Sequence, residues 1–266
     1  MWGAVEMGRY DRHLVLREIG PEGQGRLRSS KVLMIGAGGL GSAAGLYLAA
    51  AGVGTIGIAD CDAVDLSNLQ RQVIHRMDSV GKPKTASAAR AIGKLNPEVE
   101  VICHDGRVTA ENAQDLIESY DFILDCTDRF ESKFLVNDAC VLAQKPYSHA
   151  GVVRFEGQVM TYVPGQGPCL RCLLGDVPDP ADAPTCAQVG VLGAMVGVMG
   201  SIQALEAVKV LLGIGEPLVG KVWCLDGLTM KTRLAALPAD PDCAVCGSHP
   251  TIVSLADNVG EYEIKP

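Results

Sequence analysis

Aromatic and basic residues are both scarce in this chain of 266 residues. Only 5% of its residues are aromatic, against 31 glycines, which argues against an aromatic-rich β-sandwich and favours close backbone packing with glycine turns. Lysine and arginine number 23 against 31 acidic residues, so the net charge is −8 and the pI about 5.1. A non-specific binder of DNA or of an anionic membrane needs the opposite balance, so neither is an expected partner.

Charge is absent from one long stretch, Val32 to Ala59, which a hydropathy scan reads as a membrane helix. Eight glycines interrupt this stretch and divide it into strand, turn, helix, turn and strand. A second apolar run, Val189 to Leu205, carries Ser201 and Gln203. We interpret both runs as protein core and expect no membrane partner. Because the N-terminus lacks the apolar centre of a secretory signal, the expected location is the cytoplasm.

Short apolar strands alternate with helices, a pattern typical of a mostly parallel α/β sheet. The predicted strands are Lys31–Ile35, Thr55–Asp60, Val99–Cys103, Phe122–Asp125, a hairpin within Gly151–Val163, and Lys221–Leu225. The predicted helices are Leu40–Ala51, Pro83–Leu95, Ala110–Ser119 and Gly197–Leu212. The expected fold is therefore a Rossmann-like central sheet flanked by helices.

A glycine motif follows the first predicted strand. Gly36, Gly38 and Gly41 fit G-x-G-x-x-G, with Gly39 as a fourth glycine, at the point where a helix begins. Amides at a helix N-terminus face an anion, and missing side chains let a phosphate approach closely. Asp60 ends the next strand, 24 positions after Gly36, where an acidic residue can accept from a ribose hydroxyl. The motif indicates a nucleotide without saying which one, so NAD stays open here.

Charged residues beyond the carboxyl ends of neighbouring strands favour ATP over NAD. Arg71 follows the second strand, Lys84 begins the next helix, and Asp128 with Arg129 follows the strand Phe122–Asp125. Open α/β sheets bind ligands at this edge. Arg71 and Lys84 can neutralise a triphosphate and Asp128 can hold Mg²⁺, whereas a dinucleotide pyrophosphate needs less positive charge and no metal. Singly, each residue is better explained as a solvated charge; together they predict a site.

Two C-x-x-C pairs indicate a metal site. Cys169 pairs with Cys172 and Cys243 with Cys246, and 70 residues separate the pairs. Four thiolates in two such knuckles form a closed tetrahedral Zn²⁺ site, which is structural because no coordination position stays open. Zinc would then tie together the two ends of the second half. A redox-active C-x-x-C is the alternative, but it is more typically single and placed at a helix start.

Cys186 lies between a segment rich in proline and aspartate, Gly175–Pro184, and a glycine-rich helix. We expect that segment to be a mobile loop. A thiolate near a helix N-terminus is an activated nucleophile, whereas a small buried residue explains this cysteine nearly as well. The remaining cysteines are assigned to packing, and the histidines are given no role.

The motifs together resemble those of the ThiF/MoeB/HesA family, relatives of ubiquitin-activating enzymes that adenylate small ubiquitin-like sulfur carriers. The resemblance covers nearly the whole chain and rests on Arg9–His13, Gly20–Gln24, Gly36–Ser42, Ser67–Gln72, Lys82–Lys84, Asp125–Asp128, both C-x-x-C pairs and Gly197–Lys209. It implies a nucleotide-binding set of Gly36, Gly38, Gly39, Gly41, Asp60, Asp62, Ser67, Asn68, Leu69, Gln70, Arg71, Lys84, Asp128 and Arg129. In that set, Asp60 binds ribose and Asp128 lies near Mg²⁺. The phosphates are bound by Asn68, Arg71 and Lys84.

The resemblance also implies the reaction. The C-terminal glycine carboxylate of the carrier is ionised at pH 7, so it attacks the α-phosphorus of ATP without a general base while pyrophosphate leaves. Mg²⁺ and cationic side chains stabilise the charge, and one of these, Arg12, reaches in from the second subunit of a homodimer. Cys186 matches a family cysteine that receives the activated acyl group or persulfide sulfur. The catalytic candidates are Arg12, Arg71, Lys84, Asp128 and Cys186.

One domain is expected over residues 1–266: a helical arm (1–30), a nucleotide-binding half (31–150), a carrier- and zinc-binding half (151–250) and a tail (251–266). Sulfur is expected from a separate donor, a cysteine desulfurase or a rhodanese, for thiamin or molybdopterin biosynthesis. Three alternatives remain. A tRNA threonylcarbamoyladenosine dehydratase is disfavoured by the Cys₄ set and the acidic balance, an NAD-dependent oxidoreductase predicts NADH binding without pyrophosphate release, and the charged strand-end residues argue against a non-catalytic scaffold.

Overall fold

The computed structural model describes residues 8–178 and 186–263. The strands of these two segments are β1 (Lys31–Ile35), β2 (Thr55–Asp60), β3 (Glu100–Asp105), β4 (Phe122–Asp125), β5 (Tyr147–Val153), β6 (Glu156–Tyr162), β7 (Lys221–Asp226) and β8 (Lys231–Ala236). They form one sheet in the order β3-β2-β1-β4-β5-β6-β7-β8. The pairs from β3 to β5 are parallel and those from β5 to β8 antiparallel. The sheet is therefore mixed, with a parallel first half.

Helices connect the strands and flank the sheet. In the described residues they are α1 (Asp11–Leu14), α2 (Gly20–Ser29), α3 (Gly39–Ala51), α4 (Lys84–Leu95), α5 (Ala113–Glu118), α6 (Phe130–Leu142), α7 (Leu170–Leu174), α8 (Cys186–Val189), α9 (Gly193–Leu212) and α10 (Val259–Tyr262). Short 3₁₀ helices span Leu66–Asn68, Met77–Ser79 and Leu255–Asn258.

The core lies on both faces of the sheet because successive strand residues point to opposite sides. On one face, Val32 and Met34 of β1 cluster with buried residues of α3, α4 and α9. On the other, Leu33 and Ile35 cluster with residues of α5, α6, α7 and α10. β1 is buried from Val32 to Ile35, as expected for a parallel strand covered on both sides. The predicted α/β class and flanking helices are confirmed.

The strand predictions differ in accuracy along the chain. Lys31–Ile35, Thr55–Asp60 and Phe122–Asp125 are confirmed residue for residue. The hairpin predicted within Gly151–Val163 is the β5–β6 pair, which begins earlier, at Tyr147. β8 is absent from the predicted strands, because five of its six residues are exposed and no buried apolar residue alternates with the polar ones.

The helix predictions are confirmed for α3, α4, α5 and α9, with ends that shift by up to four residues. The prediction misses α6 entirely. Its residues from Lys133 to Val141 are all buried, and they include the polar residues Lys133, Asn137 and Asp138, so polarity in the sequence does not mark an exposed face of this helix. The predicted mobile loop Gly175–Pro184 lies outside the described residues from position 179 onward.

α9 is long and apolar enough to cross a membrane, judged by length and composition alone. Half of the apolar window is buried inside the molecule. Met195, Met199 and Ala207 lie in the same core cluster as Leu40 and Ala44 of α3. The packing supports the interpretation of the Val189–Leu205 run as core.

Candidate active site

A wide cleft opens at the carboxyl ends of the parallel strands. Its volume is about 1830 Å³, and it extends over the antiparallel strands β5 to β8. Eleven of the fourteen residues predicted to bind the nucleotide line it: Gly36, Gly38, Gly39, Asp60, Asp62, Ser67, Gln70, Arg71, Lys84, Asp128 and Arg129. The tertiary structure therefore brings the glycine turn and the charged strand-end residues into one cleft.

The glycine turn joins β1 to α3. Gly36 has a φ of +99°, and a Cβ there would lie 2.7 Å from the Cys126 carbonyl oxygen. A Cβ on Gly41 would collide with the Gly36 carbonyl, so both positions require glycine. Gly41 is accordingly buried beneath the turn and does not line the cleft. Gly38, Gly39 and Leu40 do line it, and they begin a helix whose first amides lack intrahelical acceptors.

Asp60 supports this turn from the end of β2. Its Oδ2 accepts from the Ala37 amide at 2.7 Å, and its Oδ1 accepts from the Asp62 amide at 2.8 Å. His75 holds the same turn from another direction, with Nε2 at 2.9 Å from the Ala37 carbonyl and Nδ1 at 2.9 Å from Ser87 Oγ. Burial lowers the pKa of His75, which favours the neutral imidazole over the charged form. His75 has no predicted role, and nothing in its spacing from other residues signals one.

Lys84 and Asp62 form an ion pair at the cleft wall. Lys84 begins α4, its side chain is 8% exposed, and its Nζ donates to Asp62 Oδ2 at 2.8 Å. The hydrogen bond from Lys84 holds the pKa of Asp62 below its ordinary value. The Lys84 ammonium is buried and its Asp62 partner is more exposed, so the cation is held in place at the wall of the cleft. It can neutralise an anion that enters the cleft.

A short helical loop carries Arg71. The Asp65 carboxylate accepts from the Ser67 amide at 2.8 Å, and Asn68 Oδ1 accepts from the Asp65 amide at 3.0 Å, which closes a reciprocal cap. Arg71 lines the cleft, and its guanidinium donates to the Ser67 carbonyl at 3.1 Å. Asn68 and Leu69, both predicted to bind the nucleotide, are not among the residues that line the cleft.

A buried carboxylate fixes the turn that presents Asp128. Asp125 Oδ1 accepts from Thr127 Oγ1 at 2.7 Å and from the Thr127 amide at 3.1 Å. Asp125 Oδ2 accepts from Lys133 Nζ at 3.1 Å and lies 2.8 Å from His149 Nδ1. Burial alone would raise the pKa of Asp125, but Lys133 and His149 hold it well below its usual value. These bonds hold the backbone next to Asp128, whose side chain is exposed.

Lys133 and His149 contact Asp125 beside the cleft, and no sequence pattern predicted either of them. Lys133 lines the cleft from α6, a helix absent from the predictions, and His149 lies on β5. Arg107 and Arg233 also line the cleft, from the loop after β3 and from β8. The loop after β3 is a predictable part of the cleft wall, because the carboxyl end of every parallel strand borders such a cleft.

The four cysteines of the two C-x-x-C pairs meet on the face opposite α3. Their Sγ atoms all lie within 4.8 Å of one another, with Cys169 and Cys243 at 3.6 Å and Cys172 and Cys246 at 3.4 Å. These separations are far longer than a disulfide of about 2.05 Å. A tetrahedron of sulfurs around Zn²⁺ has edges of about 3.8 Å, because each Zn–S bond is about 2.3 Å. The donor set therefore fits zinc.

Of two further predicted catalytic residues, Arg12 does not line the described cleft, and the side chain of Cys186 is not described. Arg12 of α1 has a side chain that is 91% exposed, and an ion pair joins it to Asp11 at 3.7 Å. It does not line its own chain's cleft. Cys186 begins α8, but its side chain lies outside the described residues. Its expected role as acceptor of an acyl group or sulfur remains a prediction.

The fold and the cleft define a class of protein. A parallel sheet, a glycine turn at a helix N-terminus and cations at neighbouring strand ends are typical of α/β enzymes that bind nucleotides. Outside the cleft, the four cysteines form a donor set that fits a structural metal ion.

Comparison with known proteins narrows the class. The ThiF family matches residues 10–245. The SAMP-activating enzyme E1 of Haloferax volcanii is 46% identical over 244 residues, which cover 92% of this chain and 90% of that protein. The sulfur carrier protein adenylyltransferase of Thermus thermophilus is 43% identical over 261 residues, 96% of each chain. The crystal structure of E. coli MccB with ATP superposes with a TM-score of 0.79 at 27% identity, covering 92% of this chain and 75% of that one.

This chain belongs to the ThiF family, and it is an enzyme of the nucleotidyltransferase class. The resemblance stated from the sequence motifs is confirmed.

Proposed function

We propose that this protein transfers the adenylyl group of Mg²⁺·ATP to the C-terminal glycine carboxylate of a ubiquitin-like sulfur-carrier protein. The observation that carries the proposal is the composition of one cleft: the glycine turn, Lys84, Arg71 and Asp128 all line its wall. The same cleft continues over β5 to β8, which leaves room for a protein tail beside the nucleotide. The names of the Haloferax and Thermus relatives support this substrate class.

In this proposal, ATP lies with its phosphates at the glycine turn and its ribose at Asp60. Lys84 and Arg71 neutralise the charge that moves onto pyrophosphate as it leaves, and the exposed carboxylate of Asp128 fits an Mg²⁺ ligand. Bound Mg²⁺ supplies further charge neutralisation at the phosphates. Asn68 acts indirectly, because its side-chain Oδ1 accepts from the Asp65 amide and so caps the loop that carries Arg71. The carrier carboxylate is already ionised, so no residue is needed as a general base.

Arg12 is proposed to act in the cleft of a second subunit. Its exposed guanidinium makes no contribution to the cleft of its own chain, which fits a contact across a homodimer. Cys186 is proposed as the residue that takes over the activated carrier or its sulfur. The adenylation step itself consumes no sulfur, so we propose a separate donor, a cysteine desulfurase or a rhodanese. Thiamin and molybdopterin biosynthesis are the proposed destinations.

Intact-mass spectrometry tests the proposal. The protein and Mg²⁺·ATP are incubated with a thiamin-type and a molybdopterin-type carrier in turn, and pyrophosphate release is followed in parallel. We expect one carrier to gain the mass of a single adenylate, and a control carrier without its last glycine to gain none. NADH binding with no pyrophosphate release from any carrier would favour an oxidoreductase instead.

A further inference from the structure

Gln72 is a buried residue of the cleft whose side chain makes no hydrogen bond to the described part of the chain. It lines the cleft and is 5% exposed. Its Oε1 is buried without a hydrogen-bond partner, and no bond joins its Nε2 to any residue in the ranges 8–178 and 186–263. Buried side-chain amides are nearly always hydrogen-bonded, because an unsatisfied one forfeits its bonds to water. The buried Oε1 is the exception, and it indicates a hydrogen-bond donor that arrives from outside the described residues.

The position of this amide is fixed by the backbone around it. The Gln72 amide nitrogen donates to the Asn68 carbonyl at 2.9 Å, and the Gln72 carbonyl accepts from the His75 amide at 3.0 Å. The loop also packs closely against the first residues of α3 and α9. A Cβ on Gly39 would lie 3.4 Å from the Arg71 carbonyl, and one on Gly193 would collide with the Gln70 carbonyl. The backbone of Gln72 is therefore held, whereas its carboxamide makes no bond within residues 8–178 and 186–263.

The surroundings of Gln72 select an anion. Its Nε2 lies 3.6 Å from the position of a Cβ on Gly38, directly beside the turn where α3 begins. Arg71 and Lys84 line the same wall. A helix N-terminus with two nearby cations attracts a phosphate, and an amide N–H is a suitable donor to it. Gln70 also lines the cleft, but it is exposed, so water already satisfies its amide.

We infer that Gln72 is a phosphate-binding residue, whose Nε2 donates to a phosphate oxygen of ATP at the Gly38 turn. This inference rests on the function proposed above. Because no bond anchors the carboxamide, it can rotate about its last torsion until the N–H faces the phosphate and Oε1 accepts from a hydroxyl or water that enters with the ligand. A residue present only for packing would be better served by an apolar side chain of this size.

Two variants test the inference by measurements that do not depend on turnover. Gln72→Met keeps the size and removes the polar atoms. We expect the Tm of the unliganded protein to stay the same or rise, and the Kd for Mg²⁺·ATP in calorimetry without carrier to rise about tenfold or more. Gln72→Glu keeps the shape and adds a negative charge beside the phosphates, so its Kd should rise further than that of Gln72→Met.

Gln24→Met is the matched control. Gln24 is fully buried, but its Nε2 donates to the Ala51 carbonyl at 2.8 Å and its Oε1 lies 2.9 Å from His13 Nδ1. Its replacement should lower the Tm of the unliganded protein. A similar fall in Gln72→Met, or an unchanged Kd in both Gln72 variants beside a wild-type protein that binds ATP, would overturn the inference alone. Failure of the wild-type protein to bind Mg²⁺·ATP would instead refute the proposed function.

Discussion

Lys133 is the buried cation beneath the turn that presents Asp128. Its side chain is 7% exposed, and its Nζ donates to Asp125 Oδ2 and, at 2.8 Å, to the Ala150 carbonyl. The depressed pKa of Asp125 means that the folded protein favours the ionised carboxylate. Such a group stabilises the fold above its unfolded-state pKa of about 3.9, and the stabilisation is lost as the pH falls through the folded-state pKa.

Lys133→Met should leave the Asp125 carboxylate buried, with His149 and Thr127 as its remaining partners among the described residues. We expect a loss of roughly 3–5 kcal/mol in the free energy of unfolding at pH 7, because one partner of a buried ion pair is removed. The pKa of Asp125 rises in the variant, so its carboxylate takes up a proton earlier as the pH falls. The difference in the free energy of unfolding between the variant and the wild type, measured by urea denaturation, should therefore become smaller from pH 7 to about pH 4.

Lys145→Met is the control for this prediction. Its Nζ donates to the Tyr120 carbonyl at 2.8 Å, and no carboxylate pairs with it in the described residues. We expect a smaller loss in the free energy of unfolding, and this loss should not change with pH. If Lys133→Met showed the same pH-independent loss as Lys145→Met, the ion pair would not control Asp125.

The two cysteine knuckles connect elements that lie far apart in the chain. Arg171, between Cys169 and Cys172, donates from its Nη2 to Asp138 of α6 at 2.7 Å and to Glu261 of α10 at 2.9 Å. Tyr262 Oη donates to the same Asp138 at 2.6 Å. Closure of the Cys₄ cluster therefore also positions the arginine that holds the C-terminal helix against α6.

Cys243→Ser should remove one ligand of the proposed zinc site. We expect bound zinc, measured by plasma mass spectrometry, to fall from one equivalent towards none, and the Tm to fall by roughly 5 °C or more, because metal binding contributes to folding. Cys103→Ser, an exposed cysteine on β3, should change neither value. Full zinc occupancy in Cys243→Ser would contradict a Cys₄ site.

Helices and strands are predicted correctly where burial leaves a recognisable pattern of apolar residues in the sequence. β1, β2 and β4 are short apolar runs bounded by glycine or polar residues, and each is recovered. α6 and β8 fail for opposite reasons, since one is buried all round and the other is almost fully exposed. Neither therefore shows the alternation on which such predictions depend.

The whole molecule is proposed to work as a homodimer. Val198 and Leu205 of α9 are exposed apolar residues seven positions apart, so they lie on the same side of the helix. Arg12 extends from the N-terminal arm into solvent. A symmetric dimer would allow each arm to complete the other subunit's cleft.

Arg12→Ala should reduce carrier-dependent ATP–pyrophosphate exchange by roughly 10³-fold or more, as loss of an arginine does in other phosphoryl-transfer enzymes, while ATP still binds. Arg17→Ala, an exposed arginine of the same arm, is the control and should exchange normally. Mixing Arg12→Ala with Lys84→Ala subunits should restore part of the exchange, because heterodimers contain one intact site. Absence of this rescue in confirmed heterodimers would show that Arg12 does not act across subunits.

Local sequence alone determined the glycine turn, the strands that precede it and follow it, and the two cysteine knuckles, because each depends on residues close together in the chain. Only the tertiary structure decided which charges share a cleft, that Lys133 and His149 support Asp125, and that the Gln72 carboxamide is left without a partner among the described residues. These features arise from contacts between residues that are distant in the chain. Their hydrogen bonds and burial exist only once the sheet has brought its strands together.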